Sequence, residues 1–375
     1  IISKDKAPEM IILDKENRFE DELLPLYYSF TKRNNSYRID EYSYSFYIKE
    51  IIKKAGKDKV IYLSPDGIYN NINLATLYDV ESGKYALETS DIRIISGARG
   101  FITNKTSDTG IYTNNTAVII GNPKFDLSKS DATFSTDELV ASRDVDASNF
   151  DTFSRSGISQ LPGTGIEINK IKNLFEKNMW NVTLSEGIVA NEAAIKKVNS
   201  PRVLHIATHG FFFPIQKNDH DPIAKLMGLA TNITFENPLM RSGLLFSGAQ
   251  NTIRGENLVG ENGVLTSLEA RDLNLTNTEL VVLSACETGI GDFVSGEGVY
   301  GLQRSILETG VQNVMMSLWK VDDRATQLLM TNFYTNWLEK GLTKREALKQ
   351  AQITIKNTDE YSSPYYWGAF VLIGK

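Results

Sequence analysis

The spacing of apolar residues changes character part-way along the chain. In "FEDELLPLYYSF" and "SFYIKEIIKKAG" apolar residues recur at helical spacing, and the second stretch runs into Gly56, a common way for a helix to stop. "KVIYLSPDGIY" predicts a strand, a Pro-Asp-Gly turn and a second strand. "DIRIISGA" and "TAVIIGNP" predict further short apolar strands. Over residues 123–160 the chain turns to Ser, Asp and Thr with no sustained period. That composition predicts a long surface excursion or linker. It also sets the expected boundary between an N-terminal accessory α/β part, 1–155, and a second unit, 156–375.

Beyond that boundary strand and helix patterns alternate. "GIEINKIKNLFEKN" predicts an amphipathic helix with Ile166, Ile168, Ile171 and Leu174 or Phe175 turned inward. "MWNVTLSEG" predicts a strand, and "NEAAIKKV" a helix capped by Asn191. "RVLHIAT", "LVVLSA" and "VQNVMMSLW" predict strands, with a helix over "EGVYGLQRSILETG" opened by Gly298. Two more helices, "DDRATQLLMTNFYTNWLEKG" and "TKREALKQAQITIK", precede a closing strand, "GAFVLIG". The strands are continuously apolar, which predicts an α/β fold with a mainly parallel sheet covered on both faces. In such sheets chemistry sits beyond the carboxyl ends of the strands.

Composition narrows the function. The chain has 375 residues, 41% of them apolar, and a formal net charge of −6. The charge disfavours a polyanion-binding role, so no nucleic-acid partner is expected. No apolar run is long enough for a membrane span and no signal peptide opens the chain, so the expected location is cytoplasmic, with no membrane contact. A single cysteine permits no internal disulfide. The chain starts on Ile1, which reads as a fragment whose N-terminal neighbour has been removed.

That single cysteine is the chemical lead. Cys286 follows the strand "LVVLSA", and His209 closes the strand "VLHIAT". If the two strands are parallel neighbours, both side chains emerge at one edge, where a thiol nucleophile and an imidazole acid/base can work together. Gly210 follows His209, and its N–H with that of Cys286 can bind the oxyanion of an attacked carbonyl. Gly289, Gly291, Gly296 and Gly298 keep the chain after the nucleophile compact. His205, inside its strand, reads as a core histidine or a support, and His220 as loop surface. "HIATH" lacks the helix and the Glu of a zinc motif, so no metal is expected. No cofactor motif is present, since "GIGDFVSGEG" lacks the Gly-Lys-Ser/Thr of a phosphate loop.

At these residues the chain resembles a known family. "VLHIATHGFF", "NPLMRSGLLFSGA", "NGVLTSLEARDLNLTNTELVVLSACETG", "GEGVYGLQRSILETGVQNVMMSLWKVDD" and "YYWGAFVLIG" resemble the CHAT domain, a caspase-like domain usually found after tetratricopeptide repeats in bacterial proteins. Weaker matches reach upstream through "YLSPDGIYNNINLATL", "IIGNPKFD" and "LPGTGIE". The resemblance implies a caspase-like α/β/α sandwich. It also implies a cysteine peptidase of the caspase, separase and gingipain clan, with Cys286 as nucleophile, His209 as acid/base and Gly210 in the oxyanion hole. The implied partners are a protein or peptide substrate and an N-terminal repeat region that this chain lacks. Ser284-Ala285-Cys286-Glu287-Thr288-Gly289 departs from the Gln-Ala-Cys-Arg-Gly of caspases, so the caspase preference for Asp does not carry over. "LWKVDDR" matches a separase segment and offers Trp319, Asp322 and Asp323 as pocket residues, with a helix N-cap as the competing role for either aspartate. The expected function is therefore a regulated cysteine endopeptidase with low basal activity, its loops over 123–160 and 214–262 needing to be ordered first. A catalytically silent caspase-like scaffold is the alternative.

Overall fold

A computed structural model of the chain describes residues 1–2, 7–14, 18–32, 38–56, 59–97, 114–128, 144–145, 157–213, 226–227, 237–256, 260–286, 289, 292–294 and 298–374. Sixteen strands are present among them: β1 Val60–Leu63, β2 Tyr78–Asp79, β3 Lys84–Tyr85, β4 Asp91–Ile94, β5 Thr116–Pro123, β6 Asp144–Val145, β7 Asn181–Gly187, β8 Val203–Ala207, β9 Gly210–Phe212, β10 Ser242–Leu245, β11 Val264–Thr266, β12 Leu280–Ser284, β13 Asp292–Val294, β14 Gly298–Tyr300, β15 Asn313–Ser317 and β16 Phe370–Gly374. The α-helices are α1 Leu24–Thr31, α2 Ser43–Tyr47, α3 Lys49–Ala55, α4 Ala86–Thr89, α5 Pro162–Lys177, α6 Glu192–Lys196, α7 Ala249–Ile253, α8 Ser267–Ala270, α9 Leu302–Glu308, α10 Asp323–Tyr334, α11 Lys344–Lys356 and α12 Pro364–Trp367.

Eight strands form the main sheet in the order β1-β4-β16-β15-β12-β8-β5-β7. Neighbours run parallel except at β15 and β16, which are antiparallel. The expected α/β sandwich on a mainly parallel sheet is thus the fold. β8, β12, β15 and β16 are buried at every position, as unbroken apolar runs require when both faces are covered. Helices α5, α10 and α11 pack side by side as one cover, while α8 packs on α9 and α9 on β15. A second sheet, β11-β10-β9-β6, stands beyond the end of β8 and closes a smaller core around Phe125, Ile158, Phe211 and Phe213.

The sheet crosses the boundary expected at residue 155. β1, β4 and β5 all belong to it, and β5 lies inside, between β8 and β7. Residues 19–86 add a core of their own around Tyr27, Tyr47, Ile52, Leu74 and Leu77.

Four local expectations change. The second strand after Pro65 is instead a 3-10 turn, Gly67–Asn71, because the Asp66 carboxylate caps it by accepting from the Gly67 N–H at 3.0 Å. The helix expected from Gly298 begins only at Leu302. Gly301 is extended, and Gly298–Tyr300 pairs with Asp292–Val294 as a hairpin. Ile166 is 45% exposed on α5, whereas Ile168, Ile171 and Phe175 are fully buried. Finally, the segment between His209 and Cys286 contains β10, α7, β11 and α8 rather than loop alone.

Candidate active site

β8 and β12 are parallel neighbours whose register sets Ala207 opposite Ser284. His209 and Cys286 each lie two residues past that last pair, so they leave the same edge of the sheet at the same level. Beyond β8 the chain turns out of the main sheet. The Thr208 hydroxyl donates to the Leu245 carbonyl, and the Leu245 N–H donates to the His209 carbonyl at 3.0 Å. The same side of the ladder returns when Phe213 N–H donates to Arg241 O at 2.8 Å. Gly210 and Leu244 are therefore a non-hydrogen-bonded pair, and the Gly210 N–H points away from β10, to the side where β6 lies.

His209 is fully buried. Its Nε2 lies 2.9 Å from the Ser159 carbonyl oxygen. A carbonyl can only accept, so Nε2 carries the proton and, in the neutral ring, Nδ1 carries the lone pair. The Phe125 ring lies tilted beside the imidazole with centroids 5.2 Å apart. Both groups come from the polar excursion, whose ends are partly buried rather than all surface. Phe125, Ile158 and Leu161 are buried, and these few apolar residues pull the ends of the stretch over the histidine. Nothing in the period of the sequence separates Ser159 from its neighbours, since its contribution is a backbone carbonyl.

Cys286 is also fully buried. The Val321 N–H donates to its sulfur at 3.2 Å. The turn after β12 is fixed to β15 on both sides of the cysteine. The Ser317 hydroxyl donates to Ala285 O at 2.6 Å, and the Gly289 N–H donates to Ser317 O at 2.9 Å. A side chain at Gly289 would meet Leu318 at 2.9 Å and Ser317 O at 3.0 Å, so the close approach requires glycine. Tyr365, half-buried on α12, stands within electrostatic reach of the cysteine. Burial first, then the negative charge that Cys286 and Asp322 can carry, pushes its phenol well above the ordinary value. Only the repeated tyrosines of "SSPYYWG" hinted at this group in the sequence.

The three pocket candidates part company. Trp319 is fully buried, its indole N–H donating to Tyr365 O at 3.0 Å. Asp323 is fully buried too, and accepts from the Gly163 N–H at the start of α5 at 2.5 Å, where the helix dipole favours a carboxylate. Asp322 caps α10 by accepting from Ala325 N–H at 2.8 Å, one residue after the N–H that meets the sulfur. Of the three, Asp322 alone is not fully enclosed. His205 is the core histidine that its place in the strand suggested. Its Nε2 lies 3.0 Å from Glu167 and its Nδ1 3.2 Å from the Tyr334 hydroxyl, all three fully buried. His220, Gly291 and Gly296 fall outside the described residues. Among the described residues no group of three or more His, Cys, Asp or Glu could hold a metal ion, and no helix is long and apolar enough to cross a membrane.

A family model described as the CHAT domain matches residues 44–375. This chain belongs to the CHAT domain family. Tetratricopeptide repeat protein 28 of Homo sapiens is 34% identical to this CHAT chain over 111 residues, which are 30% of the chain and 4% of that protein. Its Mus musculus counterpart is 33% identical over the same span. The chain thus matches only a small part of these relatives' length. Among solved structures, the complex of the pro- and mature domains of Porphyromonas gingivalis RgpB covers 88% of the CHAT chain and 67% of its own, at 9% identity and a TM-score of 0.42. The Arg-specific cysteine proteinase gingipain R covers 88% and 66%, at 10% identity and the same TM-score.

Proposed function

We propose that this CHAT domain is a cysteine endopeptidase with a His209–Cys286 dyad. The observation that carries the reading is the register of β8 and β12, which brings the only cysteine and a strand-ending histidine out at one level of one edge. The chemistry follows from the tautomer. With Nε2–H given to Ser159 O, Nδ1 takes the thiol proton, and the sulfur attacks the peptide carbonyl carbon. The carbonyl oxygen becomes an oxyanion, served by the N–H of Cys286 and, once it is freed from the β6 side that it faces at rest, by the N–H of Gly210. Collapse breaks the C–N bond, and the imidazolium returns the proton to the leaving amine. Water then attacks the thioester, its proton passing to Nδ1, and the acid leaves as the thiol re-forms.

The full burial of both side chains supports a closed resting site, hence low basal activity and a need for rearrangement before substrate enters. The same burial is what the silent-scaffold alternative would show. Asp322, beside the sulfur-facing Val321 and in view of Tyr365, supports a preference for Arg or Lys before the scissile bond. The family's association with tetratricopeptide repeats supports a repeat region as regulatory partner, with self-cleavage within 123–160 or 214–262 as one route to activation. The test is a peptide library incubated with wild type beside Cys286→Ala, with and without limited proteolysis. Cleavage by wild type alone is expected. No cleavage under any condition, with the thiol no more reactive than a free one, contradicts the peptidase and favours the scaffold.

A further inference from the structure

The carbonyl that meets His209 sits in residues 157–161, a stretch without regular secondary structure. Such a carbonyl can aim an imidazole only if the stretch itself is held. One residue before it, the Ile158 N–H donates to the side-chain oxygen of Gln250 at 2.6 Å. The backbone N–H of Gln250 donates to the Phe125 carbonyl at 3.0 Å, and Phe125 is the ring beside the imidazole. A single residue thus holds the two groups described above beside the His209 ring, one through its side chain and one through its backbone.

The rest of α7 strengthens one side only. Gly248 N–H donates to Lys124 O at 3.1 Å, and the Asn251 side-chain oxygen accepts from Leu127 N–H at 2.9 Å. These bonds fasten the outgoing end of the excursion, while the Gln250 side chain fastens the returning end. Gln250 is 1% exposed, and its side-chain Nε2 has no partner among the described residues. An apolar residue would fill this place without burying an idle donor, so the acceptor is what the position uses.

We propose that Gln250 is the positioning residue for His209. By holding Ile158 it directs the Ser159 carbonyl and so keeps the proton on Nε2 and the lone pair on Nδ1. The proposal rests on the peptidase reading for its catalytic consequence. It also makes α7 the point where a pull on the excursion would reach the imidazole.

The test compares wild type with Gln250→Met, which keeps the volume and loses the acceptor, with Gln250→Asn, a milder variant that draws the acceptor back, and with Gln250→Glu, which keeps an acceptor. Nitrogen NMR of the imidazoles in the whole chain is tractable because only three histidines exist. Wild-type His209 is expected as the Nε2–H tautomer, with Gln250→Met shifting towards a mixture. Against the best peptide, kcat should fall about 10–100-fold in Gln250→Met while KM stays within about 3-fold, as for a misaimed group. Gln250→Asn should fall between, and Gln250→Glu should recover both tautomer and kcat. A folded Gln250→Met or Gln250→Asn with wild-type tautomer and kcat overturns the proposal, as does a loss that Gln250→Glu fails to repair. If no protein cleaves peptide yet the tautomer follows Gln250, the peptidase reading fails and the positioning stands.

Discussion

At the edge where β12 begins, Glu279 binds Arg202 and Lys344 at 2.5 Å each, with its own side chain only 8% exposed. Beside it Arg345 reaches the carbonyl of Gly374 at 2.8 Å, and burial, then the neighbouring Arg93, lowers its pKa. A cavity of about 770 Å³ is lined in part by Glu279 and Arg345 and includes neither His209 nor Cys286 in its lining. At the edge where β12 ends, the hydrogen bonds described above for the His209 and Cys286 side chains are to backbone groups, Ser159 O and Val321 N–H. One edge is tied by charges between side chains that each occupy one place. The other is tied by peptide groups on connecting segments, which can be re-aimed by a small backbone shift. The comparison teaches that a wide cavity and a cluster of paired charges mark where the fold is held, whereas the proposed chemistry lies where the described side-chain hydrogen bonds go to backbone groups.

The largest effect should come from the dyad. Cys286→Ala and His209→Ala should each lower turnover by about 10³-fold or more, since the pair acts as a unit. Melting should change little, and steady-state kinetics beside calorimetry check both. Loss of stability with turnover retained would reverse the roles of the two edges. Glu279→Ala should do the opposite, costing about 3 kcal/mol by stranding two partly buried cations, with kcat within about 2-fold. Denaturant titration measures it.

Asp126 sharpens the contrast, because it is an ionic tie close to the histidine. Burial pushes its carboxyl up, but Arg254 at 2.8 Å and the Ser128 bonds outweigh this and bring it to about 2. The folded pKa lies below the unfolded one, so the tie stabilises above about pH 4 and is lost as pH falls through 2. Asp126→Asn should cost about 2 kcal/mol at pH 7 and almost nothing near pH 2, read from urea midpoints across pH. The smallest effect is expected at Asp322. Asp322→Asn keeps the cap of α10, so stability should hold while any Arg or Lys preference weakens about 3–10-fold in peptide profiling. A basic preference unmoved by the change would leave Asp322 as a cap alone.

Much of this was legible because it depends on period and on strand ends. Continuous apolar runs such as "LVVLSA" identify buried parallel strands, and a His and a Cys just past two of them identify an edge. Asn191 is the expected cap, accepting from Ala194 N–H at 2.9 Å. What was not legible is carried by groups without sequence identity. The Ser159 carbonyl and the Val321 N–H belong to any residue, so only their placement matters. The second sheet was missed because β9, β10 and β11 are short and surrounded by polar sequence that masks their period. β5 was assigned to the accessory part because chain order says nothing about its place between β8 and β7. Gln250 escaped notice as one more polar residue in "FSGAQNTI".

The claim that His209 and Cys286 form one chemical unit is tested most directly by alkylating the thiol across pH. Cys286 is the only cysteine, so iodoacetamide reports it alone. With the site opened by limited proteolysis, since Cys286 is fully buried at rest, wild type should react with a rate that rises well below the ordinary thiol range near pH 8.5, and His209→Ala opened in the same way should show a single rise at or above that range. Superimposable profiles for the two proteins, both folded, would mean that the imidazole does not serve the sulfur.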